Sequence, residues 1–140
     1  MAQIYYVGEP VAVAANGDLP FNRYSACCDC NERYEGNTNT LTLTTPGRYL
    51  ITATVNASFP SGATVTPISV ALTANGSVIA GTTGTATPNQ TVAAQNIAVQ
   101  TEIDVYKCCC KTISLRNVGA AAQFDNQNLI ARKIGGGCYA

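Results

Sequence analysis

The chain has 140 residues, with eight basic and eight acidic side chains, no histidine, and 11% charged against 46% hydrophobic residues; about 25% charged is usual for a globular protein. The cancelled charge leaves no basic stripe to drive nucleic-acid binding, and no run of roughly 18 apolar residues is present to make a membrane-spanning helix. Without histidine there is no Ser-His or Cys-His dyad, so no enzymatic activity is expected.

A chain of this length suits one domain. Residues 1–134 are expected to form it, and 135–140, opening on Gly135-Gly136-Gly137, read as a flexible tail carrying Cys138. The N-terminal MAQIYYVGEP lacks a basic segment followed by an apolar one, so no secretory signal is visible.

In chain order, QIYYVGEPVAVAA (3–15) gives a strand broken at Gly8-Glu9-Pro10 and then a second short one. Asn16-Gly17-Asp18 is a turn signal, and 19–22 is extended. Residues 23–40 are polar and read as a long loop containing the CCDC cluster. Thr40 to Thr44 alternates briefly and stops at Pro46-Gly47.

The strongest element follows. In PGRYLITATVNASF (46–59), Tyr49, Ile51, Ala53, Val55, Ala57 and Phe59 fall on one side and polar residues dominate the other. That two-residue period predicts a half-buried β-strand. Pro60-Ser61-Gly62 ends it.

Ile68, Val70 and Leu72 mark another strand, and Asn75-Gly76 before Ser77–Ala80 is a strong hairpin signal because both turn positions require positive φ. Residues 81–90 read as a loop. Val92 to Tyr106 is a long alternating strand, Ile113 and Leu115 mark the next, and Asn117-Val118-Gly119 is a turn. Ala120 to Phe124 allows a helical turn at most, and Asn128 to Ile134 reads as the last strand. About eight to ten strands at this spacing, with no convincing helical period, predict an all-β antiparallel sandwich with a jelly roll as the leading variant.

The order of these features resembles a known family. PFN at 20–22, TLTLTTPGRYLITATV, ISVALTANGSVI, KTISLRNVG and NLIARKI resemble the tumour-necrosis-factor-like (TNF-like) jelly roll. By pattern they are most similar to the C-terminal domains of exosporium collagen-like glycoproteins and to phage head-fibre or decoration domains. PGRYLITATV, matching the PG-x-Y strand of that family, is the most specific element. The resemblance implies a jelly roll that forms a compact homotrimer with a non-enzymatic role in display, adhesion or fibre capping. It places the protein on a virion or spore surface, with other copies of itself as partners. Glycan- or receptor-binding adhesion is the alternative reading.

The cysteines depart from the family pattern. Cys27, Cys28 and Cys30 form CCDC, Cys108, Cys109 and Cys110 form CCC between Lys107 and Lys111, and Cys138 stands near the C-terminus. Disulfides between clusters or between subunits are one reading, with CCC as a turn between two long strands. An odd total leaves a thiol over, and Cys138 on its glycine tether is the candidate for a bond to another chain, such as a neighbouring capsid or coat subunit. A thiolate site for zinc or an iron–sulfur cluster is a second reading, although without histidine and with C-x-C spacing the ligand pattern is poor. Reduced thiols are the third.

Other features have plain structural explanations. Glu102 and Asp104 share a strand face, which suits a paired-carboxylate or Ca²⁺ site but equally the solvent side of an alternating strand. Asn56, Asn75 and Asn89 begin glycosylation-type tripeptides. Tyr5, Tyr6, Tyr24, Tyr34 and Tyr139 are candidates for stacking on sugars or for packing. Arg132 and Lys133 interrupt the final strand, so at least one must face solvent or a subunit boundary.

Overall fold

The computed structural model describes residues 1–26, 39–107 and 109–135. These form strands and no helix: β1 (Ala2–Tyr5), β2 (Val11–Val13), β3 (Arg23–Ala26), β4 (Leu41–Leu43), β5 (Gly47–Ser58), β6 (Ile68–Ala74), β7 (Ser77–Val78), β8 (Gly84–Ala86), β9 (Gln95–Val105), β10 (Lys111–Asn117) and β11 (Ala122–Gly135). One sheet has six strands, in the order β3-β1-β11-β5-β9 with β2 also on β11; the other has five, in the order β4-β10-β6-β7 with β8 also on β6. All pairings are antiparallel. Most connections between long strands cross from one sheet to the other, and the result is an all-β sandwich.

The core lies between the sheets. The first sheet contributes Tyr49, Ile51, Val55, Phe124 and Leu129; the second contributes Leu41, Leu43, Ile68, Leu72, Ile113 and Leu115, and all are buried. The expected alternation in β5 holds over its full length, with Gly47 to Ala57 alternately buried and half-buried or exposed. Alternate side chains of a strand leave opposite faces, so one apolar stripe suffices to seat β5 in the centre of its sheet, between β11 and β9.

The hairpin expected at Asn75-Gly76 joins β6 to β7, with φ of 52° and 86° at the two turn residues. The Asn75 side-chain oxygen accepts from the Thr112 amide at 2.9 Å, and the Asn75 amide donates to the Thr112 carbonyl at 2.8 Å. The turn is thereby fixed to the neighbouring β10.

Four expectations change. The polar stretch from 23 begins with an edge strand, β3, paired along β1. Tyr24 and the residues beside it are exposed, so no apolar alternation announces this strand. The loop at 81–90 contains β8, three residues paired with β6, too short to show a period. Ala120 to Phe124 is not helical: β11 starts at Ala122 and pairs with β2 and β5.

The last strand is therefore much longer than Asn128 to Ile134. A bulge lies between Asp125 and Asn128, with Asn126 at φ 53°. Before it Ala122 and Phe124 are buried; within it Gln127 and after it Leu129 and Ala131 are buried. The extra residue shifts the inward side from even to odd positions and breaks the period that sequence reading relies on.

Candidate functional site: the cysteine-bearing pole

Several strands end at one pole of the sandwich. β5 starts there at Gly47, opposite Val105, the last residue of β9. β11 ends there at Gly135, opposite Arg48. β3 also runs toward this pole, because Ala26 pairs with Ala2 and Ala2 pairs with Ala131. The PG-x-Y motif holds these ends together, which gives a physical role to the residues that are most specific in the sequence.

Gly47 has φ +151°, and a Cβ there would stand 2.6 Å from the Gly135 carbonyl oxygen and 2.6 Å from Cε of Lys133. Only glycine allows this close approach of the two backbones. Tyr49 is fully buried, and its hydroxyl donates to the Thr45 carbonyl at 2.7 Å. It ties the strand to the turn that starts it and gives the phenol a polar partner. The Arg48 guanidinium donates to both carboxylate oxygens of Asp104, at 2.8 and 3.3 Å, joining β5 to β9 on the outer face.

That pairing answers one question about the carboxylates. Glu102 and Asp104 do lie on one face of β9, opposite Leu50 and Arg48. Asp104 is held by the Arg48 guanidinium.

Beyond β9 the chain is held back on itself at Tyr106 and Cys109. The Cys109 amide donates to the Tyr106 carbonyl at 3.0 Å, and the two residues form an isolated bridge. Cys109 and Cys110 are exposed, free thiols. Lys107 beside them is exposed and Lys111 is half-buried at the start of β10. Cys27, Cys28, Cys30, Cys108 and Cys138 lie outside the described residues, as do Tyr34 and Tyr139. Ala26 and Gly135 both end strands directed to this pole. Among the described residues no three Cys, Asp or Glu side chains come together as a metal cage.

The remaining candidates disperse. Tyr24 is 62% exposed on the edge strand, and the Tyr6 hydroxyl donates to the Glu9 carbonyl at 2.8 Å. Asn56 accepts from the Asn96 side chain at 3.0 Å, and Asn75 is the hairpin turn residue. Arg132 and Lys133 are both exposed.

Sequence reading missed Asn117, which it placed only in a turn. This side chain is fully buried. Its amide nitrogen donates to the carbonyls of Val13 and Ala120 at 3.1 and 3.0 Å, and its oxygen accepts from the Gly119 amide at 3.1 Å. An asparagine among turn residues is too common to signal such a role by itself.

The outer face of the first sheet is a second surface of interest. Gln3 and Tyr5 of β1, Leu50, Thr52, Thr54 and Asn56 of β5, and Asn128 and Ile130 of β11 are all half-buried there. Charge lies toward its ends, with Arg48, Glu102, Asp104 and Arg132 at one and Asp125 at the other, and a depression of about 280 Å³ is lined by Met1, Leu50, Thr52, Ile130 and Arg132.

No protein-family model matches the sequence, and no curated protein sequence does. Solved structures do match. The globular domain of the zebrafish complement 1qA protein is similar with a TM-score of 0.70 at 9% identity, over 97% of this chain and 98% of that one. Murine APRIL gives 0.65 at 8% identity, over 95% and 98%. The Eiger TNF of S. frugiperda gives 0.65 at 11% identity, over 98% and 94%. The fold is a TNF-like jelly roll. At such identities the likeness is one of architecture, which can host many functions.

Proposed function

We propose that this chain is a non-enzymatic structural protein: a homotrimeric TNF-like jelly roll, reinforced by its cysteines, that decorates the surface of a phage particle or a spore. The observation that carries the assembly is the outer face of the first sheet. Leu50, Thr52, Thr54 and Ile130 form a weakly polar stretch there, with Glu102 and Arg132 flanking Leu50 toward one end, and such a stretch suits burial against another copy, since charged residues are depleted at the centres of interfaces. The resemblance of the PG-x-Y strand and its neighbours to exosporium and phage decoration domains supports the surface role. So does the neutral, hydrogen-bonding composition.

Native mass spectrometry at micromolar concentration tests the assembly: a trimer is expected, and a monomer refutes it. Immunogold labelling of intact particles from the source tests the location. Label on the particle exterior is expected, and label confined to the soluble fraction refutes the surface role.

A further inference from the structure

We propose that Asn75, at the tip of the β6–β7 hairpin, is a site of spontaneous covalent modification: its side-chain amide condenses with the Gly76 backbone nitrogen, and water opens the resulting succinimide to aspartate and isoaspartate. The reaction lies within one chain, so it does not rest on the trimer.

The chain has two Asn-Gly pairs, Asn16-Gly17 and Asn75-Gly76. Both asparagines are exposed and have positive φ, 64° and 52°. A glycine has no Cβ to shield its nitrogen or restrict its rotation, so the letters alone give the two pairs equal standing. The fold separates them.

Ring closure brings the glycine nitrogen onto the asparagine Cγ, so the glycine must swing out of its turn. At Gly17 both backbone groups are held. The amide donates to the Ala14 carbonyl at 3.0 Å, and the carbonyl accepts at 2.9 Å from the amide of the fully buried Asn117. The glycine is also packed in: a Cβ there would stand 3.1 Å from the Ala14 carbonyl oxygen and from Val13 Cγ1.

Gly76 is held far less. Its amide has no hydrogen-bond acceptor among the described residues. Its carbonyl accepts from the Arg116 guanidinium at 3.0 Å in a solvent-exposed bond. Nothing lies within 4 Å of a Cβ placed there. The strand beyond it, β7, has two residues, both exposed, and so short an edge opens locally at little cost.

The electrophile is positioned as well. The Thr112 amide donates to Asn75 Oδ1 at 2.9 Å, and the Asn75 amide donates to the Thr112 carbonyl at 2.8 Å. These bonds hold the asparagine while Gly76 moves. The Thr112 amide is also aimed at the oxygen on which negative charge develops as the nitrogen adds to Cγ, the arrangement that stabilises a tetrahedral intermediate. The Asn16 side chain has no such donor among the described residues.

The reaction needs no oxidant or reductant. The Gly76 nitrogen forms a bond to Asn75 Cγ, the bond from Cγ to the side-chain nitrogen breaks, and ammonia leaves with the proton that Gly76 gave up. Water then adds to one of the two imide carbonyls. Addition at the side-chain carbonyl restores the backbone and gives aspartate; addition at the main-chain carbonyl gives isoaspartate. One water is consumed and one ammonia released. The new carboxylate adds negative charge to a chain whose charges otherwise cancel. Isoaspartate also routes the backbone through an extra carbon, which takes the two-residue turn out of register with β6.

The test is incubation of the full folded chain in ¹⁸O-water near neutral pH, followed by chymotrypsin digestion and sequencing by mass spectrometry. Cleavage after Tyr6, Phe21, Leu72 and Tyr106 isolates fragments 7–21 and 73–106, which carry the two pairs. Label is expected at residue 75, as both aspartate and isoaspartate. Freeing the Gly17 amide alone breaks a hydrogen bond, so residue 75 should gain label about two- to tenfold faster than residue 16. The same chain unfolded in guanidinium chloride should show the two residues reacting at similar rates. Equal or faster reaction at Asn16 in the folded chain overturns the proposal, as does no reaction at Asn75 where the unfolded chain reacts. The same preference for Asn75 in the unfolded chain overturns it too, because the cause would then be local sequence. Aspartate without isoaspartate at residue 75 means direct hydrolysis and overturns the ring-closure route.

Discussion

Replacing Gly47 with alanine tests the account of the cysteine-bearing pole. At positions whose backbone suits any residue, Gly→Ala stabilises a protein by about 0.4–1 kcal/mol because it restricts the unfolded chain. Gly47 should show the opposite sign, for two reasons. Its φ of +151° is one that side-chain-bearing residues rarely adopt, and holding a non-glycine residue in such a region costs about 1–3 kcal/mol. The added methyl would also stand 2.6 Å from the Gly135 carbonyl oxygen. That neighbour is backbone in a paired strand, so relief requires the end of β11 to shift away from β5. Lys133 Cε, the other close atom, is the far end of an exposed side chain and moves at little cost.

A net loss of about 1–3 kcal/mol is expected, the contact with the Gly135 carbonyl adding to the strain and offsetting the unfolded-state gain, and it lowers the melting temperature by roughly 2–4 °C per kcal/mol. The assay is urea unfolding of wild type and variant at one fixed protein concentration, since an oligomer's apparent stability depends on concentration. Gly62→Ala is the internal comparison. Gly62 has φ +83° and nothing within 4 Å of the added Cβ, so it carries the backbone cost without the contact and should lose less. A Gly47→Ala protein as stable as wild type, or less affected than Gly62→Ala, would refute the reasoning.

The other expectations are quickly stated. Asn117→Ala removes a buried side chain that satisfies two carbonyls and one amide; a loss of about 2 kcal/mol or more is expected in urea unfolding, and a change under half of that contradicts the role. Arg48→Ala breaks an ion pair whose side chains are 45% and 27% exposed. It should cost only about 0.2–1 kcal/mol, and the difference from wild type should shrink as salt is raised. Ile130→Asp places a charge at the centre of the outer face, where Ile130 is half-buried. Native mass spectrometry should then show monomer where wild type shows trimer, with the circular dichroism spectrum unchanged; an intact trimer would exclude this face as the interface.

The legibility of the chain follows burial. β5, β6, β9 and β10 each bury one face or more, so their residues alternate or run apolar, and the sequence announces them. β3 and β8 lie at edges, where solvent accepts almost any polar side chain, and they leave no periodic trace. In β11 the bulge at Asn126-Gln127 cancels the period by exchanging its inward parity. For the site, the cysteine clusters and the PG-x-Y motif were visible as letters. That Tyr49 ties itself to Thr45, and that Arg48 neutralises Asp104, was not.

The amino-acid sequence by itself determined the class of the fold. A side-chain period of two and an Asn-Gly turn are local consequences of backbone geometry, and they need no knowledge of what lies across the sheet. Charge cancellation and the lack of histidine were equally local facts. Only the tertiary structure decided that β3, β11 and the β9–β10 connection lie at one pole. That these ends share a pole arises from the strand order β3-β1-β11-β5-β9 and its antiparallel register, and strand order is set by which faces pack in the core. Residues far apart in the chain carry no record of that choice.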